Sequence, residues 1–445
     1  MGTARYKAVV DRIASEIRSG RLPTGTRLPT HRQLAAREGI ALATSTRVYA
    51  ELEAMGLVSG EQGRGTFVRE LALPPGHGDN QQALAADIVD LSFNYPSVPG
   101  QADMLRQALR QLASSGDLDT LLRYQPHRGR PTERATVARY LRQRGLSVAA
   151  DQVLIVNGAQ HGLATTVMAT LAPGDVVAAD ALTYPGFKVL AQSLRLEVAP
   201  LPVTVDGPDL DALEQLCTAR PVRAVYAMPT MHNPLGWVMS APARARLVDI
   251  ARRHQLLIIE DGSYAYLAET APAPLAALAP ENTVYVSGIS KSIATGLRVG
   301  FLCAPVSLVT ALERAIRATT WNTAAITTAI VCGWLEDGTV GRLEASKRED
   351  ARRRQAIVDD ALTGLSYRSH PSSYFVWVPL PGEARAERVA ARLMRERISV
   401  STAEPYAMSP HVPQAIRLAL GSTDLDSLRA SLATVRRVID EDPYG

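Results

Sequence analysis

Lys291 and Arg298, in the stretch VSGISKSIATGLRVGF (286–301), set an amine and a guanidinium around one point of the chain. The amine can form a Schiff base with an aldehyde, and the guanidinium can fork onto a phosphate. Pyridoxal phosphate offers both groups. It also needs an acid at its pyridine nitrogen, to hold that nitrogen protonated as an electron sink. IIEDGSY (258–264) supplies Asp261 at the end of an apolar run, with Tyr264 close behind, and MPTMHNPLG (228–236) supplies Asn233 before a proline. VNGAQHGL (156–163) reads as a Gly-Ala-Gln turn opening a helix, whose first N–H groups form a natural phosphate site.

Such residues must be held at the ends of strands, and the chain supplies them. The short apolar runs VLIV (153–156), AVYAM (224–228), LLIIE (256–260), TVYVS (283–287) and VGFLCA (299–304) are separated in several places by helix-like stretches such as ARARLVDIARRH (243–254). Continuous apolar strands alternating with helices imply a mostly parallel sheet covered on both faces. Beyond residue 340, SYFVWVPL (373–380) and AIRLALG (415–421) read as a smaller α/β lobe.

The N-terminal part is different. Tyr6, Val9, Val10, Ile13 and Ile17 recur at a helical period. Thr30 can cap a helix starting near His31, Glu38-Gly39 make a turn, and a second helix runs from Ala43 to Met55. Two helices joined by a short Gly-containing turn are a helix-turn-helix. LVSGEQGRGTFV (57–68) then reads as a β-hairpin tipped by Gln62, Gly63, Arg64 and Gly65. Residues 73–87, with two prolines, two glycines and little periodicity, have linker chemistry. The division is a first unit over 1–70, a linker over 71–87 and a large unit over 88–445.

Charge follows the same division. The whole chain carries +4, and residues 1–70 hold 11 basic against 7 acidic groups while the remainder balances at 37 against 37. An acidic partner such as nucleic acid is therefore expected at the first unit. The N-terminus is cut by Lys7, Asp11, Arg12 and Glu16, no long apolar run occurs, and Cys217, Cys303 and Cys332 show no ligand spacing. These features point to a cytoplasmic protein with no membrane span, disulfide framework or metal site.

Residues 5–68 closely resemble the GntR-type winged helix, through GTRLPTHRQLA, the helix ending in YAELEAMG, and the GRGTFV wing. That resemblance implies DNA contacts from Arg32, from Thr44 and Thr46 on the helix that enters the major groove, and from Gln62, Gly63 and Arg64 in the wing. Ala41-Leu42 stand where the family usually has Ser-Arg, so a bidentate guanine contact is absent at position 42 and operator preference does not carry over. Residues 88–440 resemble the fold-type I aminotransferases, an α/β pyridoxal-phosphate-dependent transferase fold with large and small lobes. This resemblance implies that Lys291 forms the aldimine, Asp261 pairs with the pyridinium, and Tyr264 and Asn233 donate to the phenolic oxygen. It implies that Tyr184 stacks on the ring, that Ala159, Gln160, Ser290 and Arg298 hold the phosphate, and that Tyr124 reaches the phosphate from a second subunit. Arg417 matches the arginine that pairs with a substrate carboxylate. Gly288 stands where a serine is common, with Ser287 shifted one place, which could remove one phosphate hydrogen bond.

A GntR-type reader followed by an aminotransferase-like unit is the architecture of MocR/GabR-type transcriptional regulators. The resemblance implies a homodimer on double-stranded operator DNA, each reader near the other subunit's large domain. It also implies an amino-compound or B6-vitamer effector sensed through the Lys291 aldimine. A working aminotransferase with an accessory DNA-binding domain is the alternative, since all the catalytic parts are present.

Overall fold

The computed structural model describes all residues except 1, 24, 62–64, 70–87, 97, 116, 383 and 442–445. The linker and the wing-tip residues Gln62, Gly63 and Arg64 lie outside the described residues.

The first helix, Gly2–Arg18, buries Tyr6, Val9, Val10, Ile13 and Ile17 against Leu34, Val48, Tyr49 and Leu52 of the two helices that follow. Thr30 caps His31–Glu38 with a full capping box: its hydroxyl accepts from the Gln33 amide at 3.3 Å, and Gln33 Oε1 accepts from the Thr30 amide at 2.8 Å. Gly39 ends that helix at φ 61°, a left-handed turn natural for glycine, and the next helix runs Leu42–Ala54. Val58–Glu61 and Gly65–Val68 pair antiparallel as the hairpin.

The large lobe is built on a seven-stranded sheet in the order Val153–Val156, Gly300–Cys303, Thr283–Gly288, Leu257–Asp261, Val222–Ala227, Val176–Asp180, Glu197–Leu201. Gly300–Cys303 runs antiparallel to both neighbours, and the remaining pairings are parallel. Every apolar run picked out in the sequence is one of these strands. Val176–Asp180 and the edge strand Glu197–Leu201 beside it have no such run in the sequence reading. The small lobe holds a four-stranded sheet, Phe375–Pro379, Ala415–Ala419, Ile398–Thr402 and Val89–Leu91. Its last strand comes from the start of the large unit, pairing in parallel with Ile398–Val400. The helix Thr339–Ala361 packs on both lobes, through Leu343 and Ala351 on one side and Ile357 and Val358 on the other.

The reader sits on the small lobe of its own chain. Arg385, 1% exposed, pairs with Asp11 Oδ1 at 2.8 Å and lies 3.7 Å from Glu51 Oε1. Glu51 also accepts from the Tyr6 hydroxyl at 2.9 Å, and Arg18 Nε pairs with Glu404 Oε1 at 3.2 Å. The physical reason for this seat is visible in the contact: acidic Asp11 and Glu51 meet Arg385 and Arg388.

Candidate functional site

Strand ends from the large lobe and loops from the small lobe enclose a cavity of ≈ 570 Å³. Lys291 follows the strand Thr283–Gly288 and projects into it, its Nζ donating to the Asn94 carbonyl at 3.1 Å. The Lys291 backbone is fixed independently, its carbonyl accepting from the Tyr266 hydroxyl at 2.9 Å and from Lys347 Nζ at 3.2 Å.

Asp261 closes the adjacent strand, Leu257–Asp261, and is fully enclosed. Burial pushes its carboxyl above the usual range, opposed by hydrogen bonds from the Ser263 amide and the Tyr226 hydroxyl, each at 2.9 Å. A cation beside a buried carboxylate favours its charged form, and a protonated ring nitrogen would supply one. Tyr264 meets Phe375 edge-on at 5.3 Å, and Tyr184 stands at the start of the helix Pro185–Ser193, on the cavity wall.

The phosphate corner is built by close backbone approach. Gly158 has φ 80°, and a Cβ there would lie 2.9 Å from the Arg298 guanidinium; a Cβ on Gly300 would lie 2.6 Å from the Gly158 carbonyl carbon. Helix Gly158–Thr170 thus begins hard against Arg298, whose Nη2 donates to the Asn157 carbonyl at 3.3 Å. The Ser290 hydroxyl is buried with no hydrogen-bond partner among the described residues, as are Gln160 Oε1 and Asn233 Oδ1. Gly288 is there because space is short, with Ala159 N only 3.3 Å from where a Cβ would sit, and the Ser287 hydroxyl turns away to the Gly262 carbonyl at 3.1 Å. An amine, a buried carboxylate, and the unpartnered Ser290 hydroxyl with the Arg298 guanidinium at a helix start fit pyridoxal phosphate.

The cavity brings together Ala159, Gln160, Tyr184, Asn233, Asp261, Tyr264, Ser290, Lys291, Arg298 and Arg417. Tyr124 is elsewhere, 86% exposed and packed against Trp321. Arg417 is buried, donating to the Ser92 carbonyl at 3.2 Å beneath Phe375 and Tyr406, and its Nε has no hydrogen-bond partner among the described residues. In the reader, Arg32 and Thr46 are exposed and Thr44 is half-buried. The Thr46 hydroxyl is held by the Leu42 carbonyl at 3.1 Å and His31 Nδ1 at 3.0 Å, while Leu42 itself is exposed.

Comparison with known proteins agrees with both halves. The family model for aminotransferase class I and II matches residues 86–432. The chain belongs to this family. Residues 5–68 match the bacterial regulatory proteins of the gntR family, which makes the N-terminal unit of this aminotransferase-family chain a DNA-binding one. The HTH-type transcriptional regulator YdeF of Bacillus subtilis is 26% identical over 98% of this chain and 94% of its own. The HTH-type pyridoxine biosynthesis transcriptional regulator PdxR of Corynebacterium glutamicum is 25% identical over 96% and 94%. Among solved structures, the α-aminoadipate aminotransferase LysN of Thermus thermophilus, complexed with N-(5'-phosphopyridoxyl)-L-leucine, superposes with a TM-score of 0.73 at 25% identity, over 83% of this chain and 97% of that one. Pyridoxal 5'-phosphate is the cofactor. No helix among the described residues is long and apolar enough to cross a membrane.

Several residues in the cavity or directly behind it escaped the sequence reading. Tyr226 lies in a recognised strand, but only the neighbouring strand brings Asp261 to its hydroxyl. Asn94 follows the short strand Val89–Leu91 and is buried beside Lys291. Arg18, Lys188 and Glu404 come from the reader, the large lobe and the small lobe and share one wall. No local sequence signal marks them.

Proposed function

We propose that this chain is a pyridoxal-phosphate-dependent, DNA-binding transcriptional regulator of the MocR/PdxR type, sensing an amino compound or a B6 vitamer in the cavity around Lys291. The observation that carries the reading is that the reader is seated on the lobe that closes the cofactor cavity, its first helix ending in the cavity wall. Pyridoxal phosphate, when bound, supplies an aldehyde that condenses with amines and a ring that absorbs visible light.

The chain's own residues do the rest. Lys291 offers the amine, its backbone pinned by Tyr266 and Lys347. Asp261, oriented by Tyr226 and Ser263, holds the proton on the ring nitrogen. Ser290, Arg298 and the Gly158–Gln160 turn grip the phosphate, Tyr264 and Asn233 attend the phenolic oxygen, Tyr184 covers the ring, and Arg417 orients a ligand carboxylate. Arg32, Thr44, Thr46 and the wing meet operator DNA, each chain acting in a homodimer with Tyr124 facing its partner's phosphate site. If lobe closure alters the reader's seat, effector and DNA affinities are coupled reciprocally.

Lys291→Ala tests this. The variant loses the borohydride-reducible covalent adduct and the visible absorbance, keeps operator binding, and no longer changes that binding when effector is added. An undiminished effector response in Lys291→Ala would refute sensing through this amine. Sustained keto-acid turnover by the unmodified protein would favour the aminotransferase alternative.

A further inference from the structure

The last residue of the reader's first helix lines the cofactor cavity. Arg18 stands there with Lys188 of the large lobe and Glu404 of the small lobe. The Arg18 side chain is 11% exposed; its Nε pairs with Glu404, and its Nη2 is buried with no hydrogen-bond partner among the described residues. Lys188 Nζ donates to the Glu404 backbone carbonyl at 3.1 Å. Burial holds Lys188 below its ordinary range, Glu404 opposing and Arg18 adding to the effect. Burial pushes the nearby Glu387 carboxyl upward, opposed by the Arg18 and Arg385 charges. Arg18 thus pairs with the Glu404 carboxylate while Lys188 is held by the Glu404 backbone carbonyl, and the Arg18 Nη2 edge keeps no partner among the described residues. An enclosed guanidinium with an open N–H edge costs free energy until an acceptor reaches it, and a carboxylate matches that planar edge best.

We infer that Arg18 and Lys188 form a second anion subsite of the cavity, selecting an amino compound that carries a distal acidic group besides the carboxylate oriented by Arg417. This rests on the amino-compound reading given above. It adds that the DNA reader itself touches the ligand. A distal carboxylate on Arg18 Nη2 and Lys188 ties the reader to the large lobe, while Arg18 Nε keeps its hold on the small lobe. Ligand occupancy thus tightens the reader's seat, and a tighter seat raises ligand affinity by the same factor.

The test uses the full-length, cofactor-loaded protein, titrated with L-glutamate and L-2-aminoadipate and with the length-matched L-norvaline and L-norleucine, read by visible absorbance. The acidic ligands bind at least about tenfold more tightly, as expected for a charge-assisted pair. In Arg18→Gln and in Lys188→Met the ratio of acidic to apolar affinity falls toward unity, and Arg18→Lys, which keeps charge without the fork, falls between. In a second readout, L-2-aminoadipate or L-glutamate raises the urea concentration at which the reader leaves the small lobe, measured by energy transfer between labels on the two units, and fails to do so in Arg18→Gln. Equal affinities for acidic and apolar ligands, with clear spectral responses, overturn the subsite and leave amino-compound sensing intact. A preference that survives both Arg18→Gln and Lys188→Met overturns it as well. Absence of any spectral response to all four ligands defeats the amino-compound reading and the subsite together.

Discussion

Arg385→Gln is expected to loosen the DNA reader from the small lobe without unfolding either. The guanidinium is 1% exposed and faces Asp11 at 2.8 Å and Glu51 at 3.7 Å. Removing one partner of a buried ion pair costs about 3–5 kcal/mol, because the other charge is left uncompensated. Two features reduce that here. Asp11 is 36% exposed, so water can solvate it, and Glu51 keeps the Tyr6 hydroxyl at 2.9 Å and Arg388 at 3.9 Å. A loss of about 2–3 kcal/mol is therefore expected, roughly a 30- to 140-fold shift of the docking equilibrium toward release. The assay is a urea titration of the full chain, following energy transfer between labels on the reader and the small lobe together with circular dichroism. Reader release should move to lower urea, while the helical signal of the large unit unfolds at the unmodified midpoint. Arg385→Lys, which keeps the charge but not the fork, should lie between. An unchanged release midpoint in Arg385→Gln would show that apolar contact, not this ion pair, seats the reader.

Operator binding should weaken linearly in log affinity with log salt, and Arg32→Ala should lower both the affinity and the slope; an unchanged slope would remove Arg32 from the phosphate contacts. Gly300→Ala should cost about 1–3 kcal/mol in thermal unfolding and lose cofactor, since its Cβ would sit 2.6 Å from the Gly158 carbonyl carbon; normal cofactor retention by a stable Gly300→Ala protein would refute the cradle. Burial lowers Lys347 to about 7, with the Lys291 charge adding to the effect. Above pH 7 the folded state has released this proton while the unfolded chain keeps it until its ordinary value, so the group's contribution to stability rises with pH across that window. The slope is at most about 1.4 kcal/mol per pH unit. The stability difference between the unmodified protein and Lys347→Met should follow that slope, and a flat difference from pH 7 to 10 would show that Lys347 stays charged.

What was legible in the sequence is what repeats locally. Strands buried on both faces read as continuous apolar runs, so the five from Val153–Val156 across to Val222–Ala227 were plain, and the residues at their ends named the cofactor. Val176–Asp180 contains two consecutive alanines before its aspartate, and Glu197–Leu201 carries Pro200 and an exposed Glu197 at the sheet edge, so neither has the same signature. Val89–Leu91 is three residues long and pairs with a strand three hundred positions away, beyond any periodicity argument. Tyr226, Asn94 and Lys347 reach the site only through folding, and the polar face of a strand or helix looks the same whether it meets water or another lobe.

The surplus of positive charge in the first unit shows the same limit. By sequence it marks an acidic partner. In the structure, Arg12 is engaged with Glu16 and Glu38, Arg37 with Glu38, and Arg18 with Glu404 in the cavity wall, so much of this charge is balanced within the chain. Asp11 and Glu51 are turned the other way, onto Arg385 and Arg388. Charge in the reader therefore divides between two faces. One carries the exposed Arg32, and the other pairs with the small lobe at the edge of the cofactor cavity. A reader that used its charge for DNA alone would have no electrostatic reason to dock. Because it has one, the proposed coupling predicts that a change in the cavity that breaks the Arg18–Glu404 pair alters operator affinity, and an Arg18→Gln protein with unchanged operator affinity with and without ligand would refute it.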